Sequence, residues 1–106
     1  MKLRFKNNRI KKQCENPQRA QLDFGSRMGN VLTQRVAELA AATSLLDIKH
    51  IPAARLHRLK GARADEFAVD LVHPYRLVFR PILQEVTSSI RIFLIWKVLI
   101  LYGLRR

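Results

Sequence analysis

The sequence predicts an α+β fold, a mostly antiparallel sheet covered on one side by helices. Three observations lead there. From Arg55 to Arg80 apolar and polar residues alternate in three short runs, separated by Gly61 and by His73-Pro74. That is the period of half-buried strands. Over Arg27–Ala41 apolar residues recur at three- and four-residue spacing, the period of a helix with one buried stripe. The helical pattern also precedes most of the strand pattern, which separates α+β from alternating α/β architectures.

Each element follows from its residues. Met1–Lys6 sets Leu3 and Phe5 against Lys2, Arg4 and Lys6. This is a short strand whose cationic polar face suits a sheet edge. Asn7 or Asn8 caps a short helix over about Arg9–Glu15. Pro17 fits the first position of the next helix, Pro17–Ala42, with a break near Gly25. Met28, Val31, Leu32, Val36, Leu39 and Ala40 form its stripe, while Arg27, Gln34, Arg35 and Glu38 sit off it. Thr43 or Ser44 caps a helical turn over Leu45–Ile48, which Ile51-Pro52 ends. The strands are Ala54–Lys60, Glu66–Val72 and Tyr75–Arg80. In the second, Phe67, Val69 and Leu71 oppose Glu66, Ala68 and Asp70; in the third, Tyr75, Leu77 and Phe79 oppose Arg76, Val78 and Arg80. Pro81–Thr87 reads as a link and Ser88–Ile95 as a last strand with β-branched and aromatic character. An apolar tail from about Trp96 to Arg106 completes one domain of 106 residues.

Twenty Lys and Arg against eight Asp and Glu give a net charge of +12. A surface this basic attracts polyanions, with nucleic acid the leading class and an anionic membrane surface second. The membrane reading is the weaker. Arg91 and Lys97 interrupt the C-terminal apolar run, which falls short of the roughly 20 residues a spanning helix needs. The N-terminal basic residues have no apolar signal-peptide core after them. The single Cys14 forms no intramolecular disulfide, suits a reducing, cytoplasmic setting and reads as a small semi-buried filler. No Cys/His ligand spacing and no carboxylate cluster are evident, so neither a metal nor another cofactor is expected.

His57 and Lys60, with Arg76 and Arg80, carry the chemistry. An imidazole, which can both take and give a proton, beside fixed positive charges suffices for metal-independent RNA cleavage. The ribose 2′-hydroxyl attacks the adjacent phosphate, a base takes its proton, an acid protonates the leaving 5′-oxygen, and cations stabilise charge on phosphorus. DNA lacks that hydroxyl. A basic sheet face is also an ordinary phosphate-binding surface, so a pure binding role is the competing reading. Strict alternation puts His57 and Lys60 on opposite faces, so their convergence needs a twist or bulge near Gly61. His73, before Pro74 in a turn, reads as structural.

Three segments, Leu56-His57-Arg58-Leu59-Lys60-Gly61, Phe67-Ala68-Val69-Asp70-Leu71 and His73-Pro74-Tyr75-Arg76-Leu77-Val78-Phe79, stand in a distinctive order and spacing. With the opening Lys-Leu-Arg-Phe, Gly25 and Gln34-Arg35-Val36-Ala37-Glu38-Leu39, they resemble the HigB-like branch of the RelE/ParE toxin superfamily, which includes plasmid-maintenance killer proteins. The likeness covers about Met1 to Arg80. It implies a RelE-like fold, with an N-terminal strand and two helices packed on the sheet. It also implies a type II toxin that cuts mRNA in the ribosome and is held inactive by a helix-turn-helix antitoxin. The catalytic residues of that branch correspond to His57, Lys60 and Arg76 here, with Arg55, Arg58, Arg63, Arg80 and Tyr102 as RNA contacts.

The resemblance departs at the C-terminus. Members of the branch end in an Asp-Tyr-His-like motif, whose tyrosine stacks on a base. Here Tyr102 stands between Leu101 and Gly103, and no histidine comes after it. This departure favours an alternative, a weakly active or inactive relative that binds RNA, the ribosome or the antitoxin. The gyrase-poisoning ParE branch is a third possibility, against which the His57–Gly61 segment argues.

Overall fold

The structure is a computed structural model. It describes residues 2–61, 65–86 and 91–103, with residue 2 and the residues from 82 onward given by backbone alone. Strand β1 (Lys2–Phe5) leads into α1 (Asn8–Glu15), α2 (Pro17–Ala41) and α3 (Leu45–Lys49). A single 3₁₀ turn at Pro52–Ala54 precedes β2 (His57–Arg58), β3 (Phe67–Asp70), β4 (Tyr75–Val86) and β5 (Arg91–Gly103). The five strands form one sheet in the order β1-β5-β4-β3-β2. β2 to β5 are an antiparallel meander, and β1 joins β5 in parallel.

The helices start where the capping chemistry places them. Asn7 Oδ1 accepts from the Ile10 N–H, Asn16 Oδ1 from the Gln18 and Arg19 N–H groups, and Ser44 Oγ from the Asp47 N–H. Each satisfies donors that a first helical turn leaves without a partner. The expected break in α2 is Gly25, at φ 86° and ψ 166°, a conformation glycine adopts without a Cβ penalty. The bend brings the first part of α2 back against the second, and Gln21 Nε2 donates to Asn30 Oδ1 at 2.8 Å. At Gly29 a Cβ would meet the Gln21 backbone nitrogen at 2.8 Å, so only glycine fits this approach.

The core lies between the helices and one sheet face. Leu32 and Leu39 of α2 and Ile48 of α3 meet Val69, Leu77 and Phe79. Phe67 stacks on Phe79 with ring centroids 6.2 Å apart. Cys14 is buried in the same cluster, and burial, with Glu15 adding to it, pushes its thiol up to about 12.

The strand boundaries differ from the sequence-based expectation in four places, the least of them β3, which keeps Phe67–Asp70 of the expected Glu66–Val72. β2 is two residues long rather than seven, because Arg55 turns into the left-handed region at φ 46° and the 3₁₀ turn occupies Pro52–Ala54. β4 runs through Pro81 to Val86, where a link was expected. The pairing of β3 stops opposite Phe79, so beyond that point β5 alone, among the described residues, pairs with β4. Proline's missing N–H is tolerated on such an open side. β5 extends to Gly103, taking in most of the residues read as a tail. It lies between β1 and β4, and a strand flanked on both edges suits a near-continuous apolar run. Its register skips Leu99 between the Val78–Ile100 and Phe79–Val98 pairs. Among the described residues no helix is long and apolar enough to cross a membrane.

Candidate active site

Residues paired across neighbouring strands share a face of the sheet. The pairs His57–Ala68, Ala68–Val78, Asp70–Arg76 and Arg76–Tyr102 therefore put His57, Ala68, Asp70, Arg76, Val78 and position 102 on the face away from the helices. Ala68 and Val78 are fully buried there yet lie outside the main core cluster. Arg55, Leu56, His57, Asp70, His73, Pro74, Tyr75 and Arg76 enclose a cleft of about 590 Å³ at this end of the sheet.

His57 is held from both sides. Its Nδ1 lies 2.8 Å from the Arg55 carbonyl oxygen and its Nε2 3.4 Å from Arg76 Nη1. A carbonyl only accepts and a guanidinium only donates, so the partners assign the proton to Nδ1 and leave the Nε2 lone pair facing the cleft. The left-handed backbone at Arg55 aims that carbonyl back at the ring two residues on. Arg55 Nη1 pairs with Asp70 Oδ2 at 3.3 Å, across the cleft wall from β3.

A buried arginine on α2 sets this arrangement. Arg35 is 7% exposed. Its Nε donates to the Asp70 carbonyl at 2.8 Å, its Nη2 to the Ala53 carbonyl at 3.0 Å and its Nη1 to Glu38 at 3.1 Å. One guanidinium thereby ties the helix layer to both chain segments that supply the cleft. A planar fork with five donors suits such a task where lysine would not. The sequence pattern placed Arg35 off the apolar stripe and gave no sign that it points inward. Charged residues are seldom fully buried unless paired, and a helical pattern does not report partners 18 and 35 residues away.

The structure brings His57, Arg76 and Arg55 together in the cleft, which Arg58, Lys60 and Arg80 do not line. Lys60 follows β2 as an exposed residue and does not line the cleft. Gly61 has a positive φ of 69°, but Lys60 does not join His57 and Arg76. Arg58 pairs with Phe67 on the helix-side face, its guanidinium 5.7 Å from the centre of that ring, a cation–π contact. Arg80 is engaged by acids: its Nε is 3.4 Å from Asp65 Oδ2, without a well-directed hydrogen bond, and its Nη2 is 3.5 Å from Glu66 Oε2. Arg63 lies outside the described residues. Tyr102 sits in β5 opposite Arg76, beside the cleft in register. His73, read as structural, lines the cleft, as do Asp70 and Tyr75. The signal available for them was the tight β3–β4 connection, which returns Tyr75 and Arg76 beside Asp70. Among the described residues no three or more His, Cys, Asp or Glu side chains group as metal ligands would.

The fold is similar to that of a YoeB/ParE toxin. That protein, from Agrobacterium tumefaciens, superposes with a TM-score of 0.54 at 16% sequence identity, over 99% of this chain and 100% of that one. At this identity the likeness is one of fold, and it supports the RelE/ParE-type α+β architecture. No protein-family model and no curated protein matches the sequence.

Proposed function

We propose that this protein is the toxin of a toxin–antitoxin pair, an endoribonuclease that cuts mRNA on the ribosome by 2′-hydroxyl attack. The observation that carries the reading is the His57–Arg76 pair at 3.4 Å inside a cationic cleft, on a toxin-like fold. The lone pair on His57 Nε2, held among the described residues only by Arg76 Nη1 at 3.4 Å, suits the general base. Arg76 and Arg55 suit the phosphate and the charge that grows on it in the transition state. As an incoming phosphate draws the Arg76 guanidinium, Nε2 is released to take the 2′-hydroxyl proton. His73, the second imidazole of the cleft, stands at hand to protonate the leaving 5′-oxygen. Lys60 and Arg58, outside the cleft, serve the RNA backbone further along. The HigB-like motifs make a helix-turn-helix antitoxin the expected partner.

Substrate RNA carrying a single 2′-deoxy nucleotide tests the chemistry. Cleavage 3′ to that nucleotide is lost while neighbouring sites are still cut, and undiminished cleavage at the deoxy position would exclude the 2′-hydroxyl route. One observation favours a second reading, a binding module without nuclease activity: Lys60 lies outside the cleft. Induced expression in bacteria separates the two. Growth arrest that the co-expressed neighbouring gene relieves supports the toxin, and unimpaired growth supports the module.

A further inference from the structure

Tyr75 stands where strand alternation expects a core residue. It shares a face with Leu77 and Phe79, both fully buried, yet it is 45% exposed. Its partner across the sheet is Gly103, which has no side chain to cover the ring. Tyr75 lines the His57–Arg76 cleft and also a second cleft of about 480 Å³, formed where α2 bends at Gly25 and walled by Asp23, Phe24, Ser26, Arg27 and Val72. The Asp23 carboxylate is already engaged by Gln13 Nε2 at 2.8 Å and Arg19 Nε at 3.4 Å, which offsets its charge. An aromatic ring in the open, one residue from Arg76 and lining a cleft with a hydroxyl and a guanidinium, has the chemistry of a nucleotide site. Any base offers a π-face to such a ring, and Ser26 and Arg27 suit the sugar and the adjoining phosphate.

We propose that Tyr75 and the cleft at the α2 bend form a subsite for one unpaired nucleotide, its base stacked on the tyrosine beside the phosphate held by Arg76. The proposal rests on the reading of the chain as an RNA-cleaving protein, and names a base-binding surface for it within the described residues. The subsite is sequence-tolerant, because stacking reads no hydrogen-bond pattern.

The test is titration of the purified protein with single-stranded RNA carrying one 2-aminopurine, whose fluorescence stacking quenches. The wild type quenches the probe. Tyr75→Phe keeps the quench and the affinity, while Tyr75→Ala loses the quench and binds about 5- to 100-fold more weakly. Tyr75→Leu keeps apolar bulk without the π-face and behaves like the alanine variant, which guards against a folding artefact. Arg27→Gln weakens binding but leaves the quench. If the wild type binds and cleaves RNA while Tyr75→Ala and Tyr75→Leu match it in quench and affinity, the subsite alone is overturned. If those variants instead lose only the antitoxin, Tyr75 is a protein contact and the subsite is likewise overturned. A wild type that neither binds nor cuts RNA overturns the nuclease reading and the subsite with it.

Discussion

The two faces of the β3–β4 pair are built from alternate residues of the same eight positions, yet they differ in almost every physical respect. On the helix side Phe67, Val69, Leu77 and Phe79 meet α2 and α3 and exclude water. On the other side Ala68 and Val78 form a small apolar floor, and His57, Asp70 and Arg76 stand around it. The arginines make the contrast sharpest. Arg35, on the covered side, has a partner for each guanidinium nitrogen, two of them main-chain carbonyls. Arg76, on the open side, faces an imidazole at 3.4 Å, a weaker partner than a charged one. A saturated guanidinium fixes structure, and one held loosely in a cleft is available for chemistry.

Mutations on the two faces should have opposite signatures in stability and activity. The largest effect falls on the covered face. Phe79→Ala removes a fully buried ring and its stack on Phe67, and should cost about 3–5 kcal/mol in urea unfolding. A loss below about 1 kcal/mol would mean that the helices do not seal this face. On the open face Arg76→Ala should leave the unfolding midpoint almost unchanged while cutting the cleavage rate about 10²–10³-fold, the scale of one lost transition-state donor. Unchanged cleavage would remove Arg76 from the chemistry.

Arg35→Met bridges the two faces. It leaves the Asp70 and Ala53 carbonyls without their donor, at about 1–3 kcal/mol of stability. It should also lower cleavage among the molecules that stay folded, since both cleft segments lose their tether. A stability loss with normal turnover per folded molecule would confine Arg35 to the scaffold.

The covered face also carries a pH dependence. Burial raises the Cys14 thiol from 9.0 to about 12, with Glu15 adding to the shift. A raised folded-state value means that stability is whole below the unfolded value and is lost as pH rises toward the folded one. The wild type should therefore lose on the order of 2 kcal/mol between pH 8 and 10.5 relative to Cys14→Ala. Parallel pH profiles for the two proteins would show that the thiol ionises freely. The smallest effect belongs to Lys60→Ala. Since Lys60 lies outside the cleft, the rate should fall by no more than about threefold, with a shallower salt dependence of RNA binding from one lost phosphate contact. A hundredfold loss would place Lys60 at the reacting phosphate after all.

Much of this was legible in the sequence, and the reason is local. Period-two alternation fixed which residues of β3 and β4 share a face, and three- and four-residue spacing fixed the buried stripe of α2. The caps at Asn16 and Ser44 and the break at Gly25 are chemistry of one to three residues. His57 and Arg76 stood in one cationic set with Lys60 and Arg80, and they meet because β3 pairs with β2 on one edge and with β4 on the other. Tertiary structure decided the rest. Whether Pro81 ends a strand depends on which neighbour still flanks it, and whether an apolar run is a tail or a central strand depends on what pairs on either side. Arg35 points inward because two carbonyls far away in the chain receive it, and Arg80 is drawn to Asp65 and Glu66 because β3 folds back alongside β4. Lys60 and Tyr75 depart from their expected places for the same reason: a side chain's periodicity states its face, but only its neighbours in space decide whether that face is covered.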